Sequence, residues 1–222
     1  MKVLRRLLWF LVRWTGLLVV PGGVLWALSP IGASISETLF STPNVFWKLF
    51  PSAPLLLLVG LAGLQARQWG RSGLLQKTGF VLAFLGLALV IAGDAGLFWL
   101  GVDDTFIMMA PAYRAFRLGL LLLGAGSILF GVAAPRDGAL PTWGLLPFVV
   151  GSLCGLISFV TDLGSFGTVL WMLFGLGWTW LGLSLAVDGF LSWRAGRSPR
   201  GAATEGRERP RVVRQGGIGP EG

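Results

Sequence analysis

Six charged residues have the types and spacing that could do chemistry. Asp94, Asp103, Asp104, Arg114 and Arg117 fall within residues 93–118, together with Tyr113, the only tyrosine, and Asp162 follows in a similar turn. Asp94-Ala-Gly96 and Asp162-Leu-Gly164 each close a long apolar run. An ionisable group inside a membrane is costly and commonly marks an ion or proton path. Two such carboxylates facing a shared interior would make a cation or proton site. Counted from Thr78, however, Asp94 lies about 24 Å along a helix at roughly 1.5 Å per residue. That depth predicts an interfacial carboxylate beside the headgroups, where the cost is small. Asp162 is expected at the same level.

Arg114 and Arg117 are three apart and would share one helix face. Two guanidiniums on one face suit a phosphate or a carboxylate, and the phosphates of lipid headgroups meet that description. Asp103 and Asp104 could pair with them in a loop over the outer face, a solvated arrangement that adds little stability. These six residues form the candidate polar outer-face cluster.

Other chemistry is closed off by composition. The chain has no histidine and one cysteine, Cys154. His-ligated metals and haem, Ser–His catalysis, His proton relays, intrachain disulfides and paired-cysteine metal sites are all ruled out. Cys154 sits in an apolar run and reads as an inert buried thiol. With no nucleophile motif, no enzymatic role and no cofactor are expected.

The elements that must position these residues follow from the charge distribution. The 222 residues are 54% hydrophobic and 13% charged, against about 25% charged in a soluble domain. Long uncharged blocks alternate with short charged segments, the pattern of membrane spans joined by loops. The fold class predicted is all-α: a polytopic membrane protein of six transmembrane helices, arranged as three antiparallel hairpins. The spans are placed at residues 7–28, 52–69, 78–99, 116–134, 143–161 and 166–187, within a domain covering 1–193. The second is the shortest. Its uninterrupted apolar core, residues 54–64, reaches only about 17 Å, short of the roughly 30 Å hydrocarbon core. Pro21 should kink the first span, and Pro111 can open the fourth. Residues 29–51 read as a loop containing an interfacial aromatic segment, VFWKLF. Residues 194–222 are rich in Gly, Pro, Arg and Glu and read as a disordered basic tail.

With both termini cytoplasmic, fifteen of the 18 Lys and Arg fall inside, and only Lys48, Arg114 and Arg117 fall outside. That agrees with the positive-inside rule. The partners expected are the lipid bilayer and its anionic cytoplasmic headgroups, with a second copy or a protein partner also in view. The tail has no aromatic residue past Trp193, so single-stranded nucleic acid has nothing to stack on.

Glycine is abundant, at 34 residues. Gly151-xxx-Gly155 is a helix-packing signal, as are Ala62, Gly63 and Ala66. Gly175, Gly177 and Gly182 beside Trp178 and Trp180 suggest aromatic rings over bare backbone. Gly16 and Gly23, Gly79 and Gly86, and Gly144 and Gly151 share a seven-residue spacing, which hints at three repeated hairpins.

Three functional classes fit: a non-enzymatic structural, assembly or partner-binding membrane protein, favoured because buried polar groups look scarce; a small-solute or ion transporter or channel using an outer-facing Asp pair; and a lipid-modifying enzyme. The location expected is the cell membrane, multi-pass. In a Cys154→Ser background, single cysteines at Ser72 and Arg200 should react with an impermeant thiol reagent only from the cytoplasmic side. Reaction from outside at either position contradicts the orientation.

Overall fold

In a computed structural model, residues 15–32, 49–68, 73–98, 111–137, 142–161 and 163–194 are described. Six α-helices account for nearly all of them: α1, Thr15–Gly32; α2, Ser52–Gln68; α3, Leu74–Phe98; α4, Pro111–Ala133; α5, Thr142–Val160; and α6, Ser165–Arg194. A short 3-10 turn, Ala134–Asp137, follows α4. Among the described residues there is no strand. The chain divides into two units, Met1–Asp188 and Gly189–Gly222, and α6 ends in the second.

Five helices, all but α2, are long and apolar enough to cross a membrane. Their outward faces carry large apolar side chains, such as Leu85 (49% exposed), Leu146 (72%) and Val169 (48%). A surface that apolar is stable in lipid, not in water. The 17-residue α2 reaches about 26 Å, slightly short of the hydrocarbon core, so the second element falls below the other five, as its short apolar stretch suggested.

Helix limits differ from the sequence expectation by four residues or more in four places, among them the start of α3, at Leu74 and not Thr78, and the end of α6, at Arg194 and not Val187. The first helix continues to Gly32, through Ser29 and Pro30, which were assigned to a loop. It also runs unbroken through Pro21. Neighbouring helices pack against the two residues that follow, Gly22 meeting Leu56 and Leu57 of α2 and Gly23 meeting Thr179 of α6; such packing holds a proline-containing membrane helix straight enough to continue. The fourth helix opens at Pro111, five residues before the expected limit, because proline is suited to a first turn. The interfacial segment lies mostly outside the described residues, but its last residue, Phe50, is buried against the Trp26 ring at 5.1 Å. The tail beyond Arg194 lies outside them entirely.

The seven-residue glycine spacing has a packing cause. A Cβ added at Gly79 would lie 2.5 Å from the Phe130 backbone nitrogen, at Gly86 2.7 Å from the Gly119 carbonyl, and at Gly93 2.6 Å from the Ala112 carbonyl. The contacts rise along α3 as they descend along α4, so the two helices run antiparallel with backbone against backbone. Seven residues are about two turns, so each glycine returns to the same face. Helices α1 and α6 repeat the arrangement: a Cβ at Gly16 would meet the Gly182 carbonyl at 2.8 Å, and one at Gly23 the Gly175 carbonyl at 2.7 Å. Gly175 and Gly182 therefore receive the α1 backbone, not the tryptophan rings suggested by sequence. Gly151 faces the Leu173 carbonyl, and Gly155 takes the Phe174 ring, joining α5 to α6. The turn between these two helices needs only a few residues because Gly164 adopts φ 51°, a left-handed conformation that glycine reaches without strain.

Aromatic rings fill the space between α1, α5 and α6. Trp26 stacks on Trp171 at 5.4 Å and meets Phe174 at 5.1 Å, while Phe148 meets Trp178 edge-on at 4.9 Å. Gly86→Val should cost about 1–3 kcal/mol through overpacking, read as a lowered thermal midpoint in detergent. Gly167→Ala, whose nearest neighbour would be 3.7 Å away, should be within about 0.5 kcal/mol of wild type. Equal loss in both would contradict the backbone seam.

Candidate functional site

The interior face of α3 begins and ends in polar residues. Gln76, Ala83, Leu87, Val90 and Asp94 are each 0% exposed. Their spacing follows the three-and-four step of one helix face. Gln76 and Asp94 are eighteen residues apart, about five full turns, and therefore point in the same direction roughly 27 Å apart. Between them the face is purely apolar.

Asp94 stands one residue beyond the close contact of Gly93 with α4. That contact turns Asp94 inward. Neither carboxylate oxygen has a hydrogen-bond partner among the described residues. Asp94 lies four residues before the end of its helix, with its side chain inside the protein and not at its surface. That direction depends on which face α4 covers. Burying a polar group without a partner is costly, so this carboxylate is held in place by packing against its own solvation preference.

The other residues of the candidate cluster are placed differently. Arg117 donates from Nη2 to the Phe159 carbonyl at 3.2 Å, close to the C-terminal end of α5. Its guanidinium lies 6.0 Å from the Tyr113 ring centroid, at the limit of a cation–π contact. A cation at a helix C-terminus meets unsatisfied carbonyls and the negative end of the dipole, so Arg117 ties α4 to α5. Arg114, three residues earlier, is exposed. Asp103, Asp104 and Asp162 lie outside the described residues.

The opposite end of the α3 face carries a group that sequence reasoning missed. Gln76 donates its amide to the Gln68 side-chain oxygen on α2. The Gln68 amide nitrogen and the Gln76 amide oxygen have no further partner among the described residues. Reversing both amides would leave the same remainder, one donor and one acceptor. Gln65, also buried, is one turn from Gln68, and the buried Ser127 hydroxyl on α4 has no partner among the described residues. Two other buried serines are satisfied within their own helices, Ser152 by the Phe148 carbonyl at 2.8 Å and Ser184 by the Leu181 carbonyl at 2.7 Å. The available signal was the identical helical phase of Gln76 and Asp94 on one apolar segment.

Among the described residues no group of three metal-ligating side chains occurs. Cys154 is partly buried and free. The arrangement offers one carboxyl group at one end of an apolar face and amide oxygen and nitrogen groups at the other. Asp94→Leu, which removes an unpartnered buried carboxyl at similar volume, should stabilise the fold by about 1–3 kcal/mol, read by thermal unfolding in detergent. Destabilisation of that size would mean the carboxylate is structurally required.

Comparison with known protein families, characterised proteins and solved structures finds no match.

Proposed function

We propose that this chain is a multi-pass protein of the cell membrane that moves a small cation past Asp94. The observation that carries the reading is the Asp94 carboxylate, fully buried on a membrane-spanning helix with neither oxygen bonded among the described residues. A carboxylate retained there against its desolvation cost points to a charge-binding role. A single carboxylate supplies a single negative charge, which suits a monovalent ion or a proton. No covalent chemistry is required, so the protein is read as a non-enzyme.

The proposed membrane arrangement is six spans in three antiparallel hairpins with both termini cytoplasmic. Its support is the distribution of Lys and Arg and the pairing of helices. Antiparallel contact of α1 with α6 is what an even number of spans requires. Helix α2 counts as a span because its interior face is buried from Ala53 to Gln68 and a modest local thinning of the bilayer accommodates its length. Anionic headgroups at the cytoplasmic face are the natural partners of the basic inner segments.

A second reading, a structural or assembly subunit that binds a partner protein or a second copy, is favoured by the glycine seams and the ring-filled interior. That reading led on sequence because buried polar groups looked scarce; the interior positions of Asp94, Gln68 and Gln76 weaken that ground. The lipid-enzyme reading has no comparable support. In proteoliposomes with an inward sodium, potassium or proton gradient, followed with an internal cation- or pH-sensitive dye, wild-type protein should accelerate uptake of at least one ion. Asp94→Asn should reduce that rate tenfold or more. Uptake equal to that of protein-free vesicles for all three ions would favour the structural reading.

A further inference from the structure

The polar groups on α3 occupy the two ends of one buried face, and neither end is fully bonded among the described residues. At the inner end the Gln68–Gln76 pair leaves a donor and an acceptor without a described partner. At the outer end both Asp94 oxygens are free of described partners. Native interiors rarely leave such groups unpaired, and those that remain call for a water, an ion or a second conformation. The two ends share one helical phase about 27 Å apart, close to the thickness of the hydrocarbon core. The Gln68–Gln76 bond turns this face toward α2 at its inner end.

We infer that this face of α3 lines a gated cation path, with Gln76 and Gln68 at its inner mouth, Asp94 at its outer mouth, and Leu87 as the dry barrier between them, while Ala83 and Val90 border the seam with α4. The inference rests on the transport reading above and adds the route and the gate. Each mouth supplies ligands in place of water: amide groups inside, a carboxylate outside. The occupant is a monovalent cation, since the path carries a single formal charge. Leu87 offers no ligand, and an apolar constriction closes a path by excluding water. The seam of α3 with α4 has no room for side chains, so opening occurs on the side of α3 that faces α2, while the α3–α4 pair moves as one body.

Two measurements separate the route from the activity. In a Cys154→Ser background, Gln76→Cys should react with an impermeant methanethiosulfonate reagent added to the cytoplasmic side, Asp94→Cys with the reagent added outside, and Leu87→Cys with neither. Leu87→Ser should raise passive sodium efflux from loaded proteoliposomes tenfold or more, with Leu87→Ala as the milder variant if the serine protein fails to elute as a single species. Absence of reaction at both Gln76→Cys and Asp94→Cys, or a tight membrane in both Leu87 variants, overturns the path. If the path fails while Asp94→Asn still abolishes uptake, the transport reading survives with a different route. If the accessibility pattern holds while the wild type moves no ion, the path stands and the transport reading falls.

Discussion

The contact of backbone with backbone along α3 and α4 is the constraint on which the rest depends. In lipid the hydrophobic effect does not drive helices together, so association relies on close packing. Glycine every seventh residue on both helices removes the side chains that would hold the axes apart, and antiparallel direction keeps the two series in register over Gly79, Gly86 and Gly93. The same device joins α1 to α6. One residue type at one spacing thus builds two close pairs, and large side chains fill the space among α1, α5 and α6, where Trp26, Phe148, Phe174 and Trp178 are fully buried.

The seam also decides the position of the one interior charge. Once Gly93 is committed to α4, Asp94 is turned about 100° away from that contact, into the protein. No local preference of the segment asks for this. A carboxylate left there without a described partner is a departure from the rule that buried polar groups are satisfied, and departures of this kind concentrate where a protein handles charge. The buried glutamines Gln68 and Gln76 at the far end of the same face add a second set of polar groups not fully bonded among the described residues.

Much of the architecture was legible in the sequence because membrane spans announce themselves by long uncharged blocks. The helical class, the five strong spans and the weakness of the second all followed from length and polarity. The glycine spacing was visible too, but its meaning was not: a seven-residue step fits a repeated hairpin and an antiparallel seam equally, and only the partner helix distinguishes them. The inward direction of Asp94 was not readable, because on a helix apolar all round no amphipathic stripe marks the inside. For the same reason Gln76 went unremarked, and its pairing with Gln68 depends on where α2 ends. Arg117 was grouped with carboxylates by sequence proximity, whereas the helix end at Phe159 provided its partner.

The central claim is that Asp94 is a cation-binding group and not a structural one. A ligand that binds only the folded state raises stability by RT ln(1 + [L]/Kd), about 2.7 kcal/mol at a hundredfold excess over Kd. The most direct test is the thermal midpoint of the purified protein in sodium, potassium or a bulky organic cation at equal ionic strength. The wild-type midpoint should climb with the concentration of at least one small cation, and the Asp94→Asn midpoint should stay flat. Parallel curves for the two proteins in every salt would contradict the account.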